Sequence, residues 1–190
     1  MLKVLLHVSR LIDNLSERIG GVSVYLVIIT VAVGFYNVLV RYMGQFIGVQ
    51  LSSNLFIEMQ WYLYSLVFFL GFAYILKNGI NVRVDFIYAN WSRKRQAVLD
   101  FWGNLFLLVP YCVIGIWVTV NPVMTSWRQW EMSPDPDGLP RAPLKTMIIV
   151  GFVLLLLQAI SELIKLYAVL RGEDEEAMDL TEHQEALRIE

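Results

Sequence analysis

The sequence predicts an all-α integral membrane protein: four transmembrane helices, an N-terminal amphipathic helix before them, and an interfacial helix between spans two and three. Three observations predict it. Of the 190 residues, 57% are hydrophobic and 17% charged, against roughly half and a quarter in a soluble domain. The apolar residues fall in four blocks, each near the length of about 20 residues that carries a helix across a hydrocarbon core of about 30 Å. Lysine and arginine are divided unevenly among the segments joining those blocks.

Residues 1–19 place Leu5, Val8, Leu11, Ile12, Leu15 and Ile19 at helical spacing, with Lys3, Arg10, Asp13, Glu17 and Arg18 mostly elsewhere around the helix. Such a helix is expected to lie in the interface and lead into the first span. Charges interrupt it and no small-residue cleavage site follows, so it does not read as a cleavable signal. Span one, about 20–40, is free of charge and ends at Arg41 and Tyr42, residue types that suit the headgroup level. Span two, about 55–76, has Glu58 just inside its entry. Trp61, Tyr62 and Tyr64 form an aromatic belt at the same end, and Lys77, Asn78 and Gly79 close it.

Between Ile80 and Gln96, apolar positions alternate with Arg83, Asp85 and Asn90, and Ser92, Arg93, Lys94 and Arg95 follow. This reads as a short interfacial helix, then a new helix capped by Ser92. Three basic residues in a first turn oppose the helix dipole, and anionic lipid head groups are the simplest compensation. Span three, about 98–122, contains Pro110 and ends near Pro122; a helical extension toward Trp130 follows it. Pro134, Pro136, Gly138, Pro140 and Pro143 then mark a stiff loop. Span four covers about 144–166. Residues 171–190 hold eight of the 17 acidic residues and are expected to form a disordered tail.

With four spans, both termini and the 77–100 segment share one side. That side carries ten lysines and arginines, the other Arg41, Arg128, Arg141 and Lys145. The positive-inside rule puts the ten in the cytoplasm.

Catalytic and conducting chemistry lacks its usual carriers. His7 and His183 lie outside the spans, so no axial haem ligand projects into the bundle. No glycine-rich loop precedes a Lys-Ser or Lys-Thr pair, and no histidine or lysine inside a span could activate a nucleophile. Cys112 is the single cysteine; it can form no internal disulfide and reads as a small buried apolar side chain. Glu58, Asp100, Lys145 and Glu162 all fall near span ends. Carriers instead place ionisable groups at mid-membrane and repeat their halves. The basic clusters flank apolar runs and form no stripe that would bind nucleic acid. The chain therefore reads as a non-enzymatic subunit that packs against a larger partner.

Some residues have two readings. Glu58 and Arg41 either pair with a partner or anchor the chain at the interface. Asp85 either caps the following turn or fixes the horizontal segment against a partner. In residues 126–143, Trp127, Arg128 and Trp130 are either an aromatic belt before a stiff loop or part of a docking surface.

Arg41-Tyr42, Glu58, Gly71, the run from Lys77 to Asp85, Ser92 to Arg95, Leu99-Asp100, the run from Ser133 to Pro140, Lys145, Gly151 and Gln158 form an ordered set of short motifs. The set resembles that of the small, DctQ-like membrane subunit of tripartite ATP-independent periplasmic (TRAP) transporters. The resemblance covers about residues 10–168. Many members carry histidine where Asn81 stands here.

The resemblance implies a multi-pass protein of the inner membrane whose partners are a large multi-span membrane subunit, a periplasmic substrate-binding protein and lipid. It implies sodium-coupled import of an organic acid anion, with sodium and substrate in the large subunit and no cofactor in this chain. The small subunit would be a scaffold. Arg41, Glu58, Trp127, Arg128 and Trp130 would contact partners at the periplasmic face, and Arg83, Asp85, Arg93, Lys94 and Arg95 would serve the cytoplasmic interfacial segment. The alternative is a four-helix membrane anchor of another complex, such as a redox enzyme, or an assembly adaptor.

Overall fold

The computed structural model describes residues 2–49, 53–80 and 91–172, the side chain of Arg93 excepted. Helix α1 (Leu2–Ile47) and helix α2 (Asn54–Lys77) are followed by α3 (Arg93–Gly103). A π-helical turn (Asn104–Leu108) carries α3 into α4 (Val109–Gln129), and α5 (Arg141–Arg171) completes the bundle. Among the described residues no strand forms. Four rods are long and apolar enough to cross a membrane: α1, α2, the α3–α4 rod and α5.

Local chemistry sets several ends. The Ser53 hydroxyl accepts from the Leu55 amide and caps α2. Ser92 takes the capping position of α3 but makes no side-chain cap bond. Pro110 follows the π-helical turn and Pro122 lies inside α4, so each removes one backbone donor from a continuous helical rod. The helix of the third span runs on past Pro122 to Gln129, in keeping with the expected extension toward Trp130. Pro143 sits in the first turn of α5, which starts at Arg141, three residues before the expected boundary. Gly172, at φ 67°, closes α5 in the left-handed region.

Residues 2–19 are helical as expected, but no break separates them from span one. Over 46 residues, α1 is about 69 Å long, roughly twice the hydrocarbon core. The reason lies in its buried stripe. Leu6, Ser9, Asp13, Ser16, Gly20 and Ser23 recur at alternating steps of three and four, so the same face meets the bundle below and within the span. All but Leu6 are small or polar residues, the kind that let membrane helices approach closely. A Cβ at Gly20 would lie 2.2 Å from the Tyr74 ring, so glycine is what allows α2 to reach α1 there.

Helix α5 is central and packs against α1, α2, α3 and α4, while α1 and α2 also pack on each other. Helix α4 rests on α5, with the Phe152 ring filling the space that a Cβ at Gly115 would occupy, 2.7 Å away. The interfacial helix expected before Ser92, with Arg83 and Asp85, and the acidic tail after Gly172 lie outside the described residues.

Candidate functional site

Two polar junctions stand at opposite ends of the bundle. The first joins α1 to α5 at the end that carries the N-terminus. Lys165 is 3% exposed and its Nζ lies 3.2 Å from Asp13 Oδ2 and 2.5 Å from Glu162 Oε1. Gln158 Nε2 donates to Asp13 Oδ1 at 2.9 Å and to Glu162 Oε1 at 3.2 Å, and its Oε1 accepts from the Ser16 hydroxyl at 2.7 Å. The Ser161 hydroxyl lies 2.7 Å from Asp13 Oδ1 and 2.7 Å from the Ser9 hydroxyl. One ammonium thus sits between two carboxylates, and neutral donors satisfy the remaining oxygens, the condition on which burying charge depends. Nearby, an ion pair between Lys77 and Glu17 ties the end of α2 to α1.

Sequence reasoning missed this junction. It took Glu162 and Lys165 as the end of a span and Asp13 as the polar side of a surface helix. The available signal was the spacing: Ser9, Asp13 and Ser16 on α1 match the step of Gln158, Ser161 and Lys165 on α5, both at three and four residues.

The second junction holds the loop between α4 and α5 against the first turns of α2. Trp130 adopts φ 46° and turns the chain out of α4. The loop closes as a small hairpin: Ser133 N donates to Leu139 O at 3.1 Å, Arg141 N to Glu131 O at 2.8 Å, and Met132 bridges Pro140. Glu58, 8% exposed, accepts a hydrogen bond from the Leu139 amide. The Tyr62 hydroxyl donates to Pro140 O, and Asn54 Nδ2 donates to Pro136 O at 3.4 Å. Lys145 forms an ion pair with Glu131, and this hydrogen bond holds the Glu131 carboxyl below its ordinary range. A cavity of about 420 Å³ remains beside the loop, bordered by Glu58, Trp61, Tyr62, Asp135, Arg141 and Lys145.

The structure places the sequence-derived candidates unevenly. Glu58 is engaged with the chain's own loop, a use that the sequence reading did not contain. Trp127 and Trp130 are half-exposed, with ring centres 5.6 Å apart, and Trp127 Nε1 donates to Thr146 Oγ1 at 2.9 Å. Arg128 is exposed beside them and Arg41 is exposed near the end of α1. Lys94 and Arg95 are exposed on the first turn of α3, which Arg93 opens, at the opposite end of the bundle. Arg83 and Asp85 lie outside the described residues. Cys112 is buried within α4.

No curated protein and no solved structure matches the chain. A family model does, described as tripartite ATP-independent periplasmic transporters, DctQ component, over residues 10–169. That range takes in the loop junction, all of the α1–α5 junction but Ser9, and most or all of each spanning rod, and it ends just short of Arg171. The chain therefore belongs to the DctQ family, as a small membrane subunit of a TRAP transporter and not an enzyme.

Proposed function

We propose that this chain is the fixed scaffold of a sodium-coupled transporter that imports an organic acid anion. It supports a large multi-span subunit that carries substrate and sodium, and it offers its loop end to a periplasmic binding protein. Both termini face the cytoplasm, where Lys94 and Arg95 meet anionic head groups.

The observation that favours a scaffold is the way the polar groups are used. Asp13, Glu162, Lys165 and Gln158 satisfy one another across α1 and α5, and Glu58 is occupied by the loop. Groups so committed suit a rigid frame, whereas an ion pathway needs polar groups that exchange partners. On the opposite face, Trp127, Arg128 and Trp130 are exposed on a stiff support, and aromatic residues with arginine are frequent binding anchors.

Purification in mild detergent from its native host is the test. Recovery with a large multi-span protein at one to one is the expected result, with uptake reconstituted in liposomes only when both chains, the binding protein and a sodium gradient are present. Recovery of the chain alone, with uptake unaffected by its deletion, would overturn the reading.

A further inference from the structure

Among the described residues, helix α4 meets the other spans chiefly through α5. Its α5-facing side is Cys112, Gly115, Val123 and Ser126. The opposite side carries Ile114, Trp117, Asn121, Thr125 and Arg128, all exposed and repeating at steps of three and four. Trp117 is 75% exposed. This is the spacing of a helix-packing seam with Ile114, Asn121 and Arg128 seven residues apart.

Three groups on this side are wrong for lipid. Among the described residues, neither the Asn121 amide nor the Thr125 hydroxyl has a hydrogen-bond partner. The same helix bonds its Thr119 hydroxyl back to Gly115 O at 2.6 Å, so the lack at Thr125 is not general. Pro122, inside the helix, has no amide to give to the Val118 carbonyl. Asn121 stands six residues inward of Trp127, about 9 Å along the axis. With the tryptophan at the interface, the amide falls at the inner edge of the hydrocarbon, where water is scarce. A lipid tail offers no directional partner there, but a neighbouring helix with its own polar side chain does.

We propose that the outward side of α4 is where a transmembrane helix of the large subunit packs, with Asn121 hydrogen-bonded across the seam. This rests on the scaffold reading above and names the surface that does the supporting. A single asparagine in such a seam fixes register as well as affinity, which suits a subunit whose role is to hold another still.

Photo-crosslinking in membranes containing the whole transporter tests it. Benzoylphenylalanine replaces Ile114 or Trp117 on α4 and, as controls on other exposed faces, Ile28 on α1 or Phe68 on α2. Adducts with the large subunit from the two α4 positions and not from the controls are expected. Adducts with it from the controls only would overturn this surface while leaving the scaffold reading intact. Adducts from α4 that join two copies of this chain, or that hold only lipid, would also overturn it. Failure of any large subunit to co-purify would instead remove the scaffold reading itself. In parallel, Asn121→Leu should reduce recovered large subunit roughly three- to tenfold, with Asn121→Gln restoring it and the chain's own membrane level unchanged. Undiminished recovery with Asn121→Leu would overturn the role given to the amide.

Discussion

Lys165 Nζ lies 3.2 Å from Asp13 Oδ2, an ion pair between residues 152 positions apart that fixes the start of the chain against its last span. Lys165 also meets Glu162, so the cluster holds two acids and one base. The members are therefore unequal. Asp13→Asn keeps the side-chain shape and leaves Glu162 with Lys165 as a neutral pair, but its NH2 replaces one acceptor with a donor facing Lys165 or Gln158, and it should cost about 1–2 kcal/mol. Lys165→Met strands two carboxylates and should cost about 3 kcal/mol or more. Thermal unfolding in detergent measures the order. Equal losses, or a larger loss for Asp13→Asn, would contradict this account.

Gly20 and Gly21 are neighbours with opposite surroundings. A Cβ on Gly20 enters the Tyr74 ring, whereas one on Gly21 meets nothing within 4 Å. Gly20→Ala should destabilise the bundle by about 1–3 kcal/mol, while Gly21→Ala should be neutral or slightly stabilising. Combining Gly20→Ala with Tyr74→Ala should recover part of the loss, and a double-mutant cycle would show it.

The Glu58 carboxylate holds the loop through the Leu139 amide. Glu58→Leu should leave that amide unpaired and raise its hydrogen exchange at least about tenfold, with Glu58→Gln falling between. Exchange at Leu139 unchanged in Glu58→Leu would show that Tyr62 and Asn54 suffice to hold the loop.

Acid should loosen the same end of the bundle. Lys145 holds the Glu131 carboxyl below its ordinary value, which for a glutamate is about 4.3. A depressed carboxyl stabilises the folded form at all pH values above that ordinary value. The contribution fades as pH drops through the lower, folded-state value. Proteolysis of the 131–140 loop should thus be constant from neutral pH to near 5 and rise only in stronger acid. Glu131→Gln should lessen that rise, the Glu58 contact with the loop remaining open to protonation.

The spans were legible because lipid imposes a simple demand: about 20 apolar residues in a row. The α1–α5 junction was not, because Asp13, Glu162 and Lys165 lie near span ends, where a charge is ordinarily explained by water or head groups. Only the matching spacing of Ser9, Asp13 and Ser16 with Gln158, Ser161 and Lys165 distinguishes a buried seam from a wet face. Glu58 was picked out for its position but not for its use, since its partner is a backbone amide 81 residues away, which leaves no mark on composition. The helix of the fourth span begins at Arg141, ahead of the expected 144, because a proline in a first turn, as Pro143 is, looks in a sequence the same as a proline in a loop.

The π-helical turn at Asn104–Leu108 gives the longest interrupted rod a tolerance that its neighbours lack. Removing one residue from a regular helix rotates everything beyond it by about 100° and would swing Asn121 and Arg128 away from the side they now occupy. A π turn is a helix that has already absorbed one extra residue. Deleting a residue within 104–108 would let the turn relax to ordinary pitch with both flanks still aimed as before. Length variation in this third span thus has a harmless place to accumulate, and chains one residue shorter there can present the same surface.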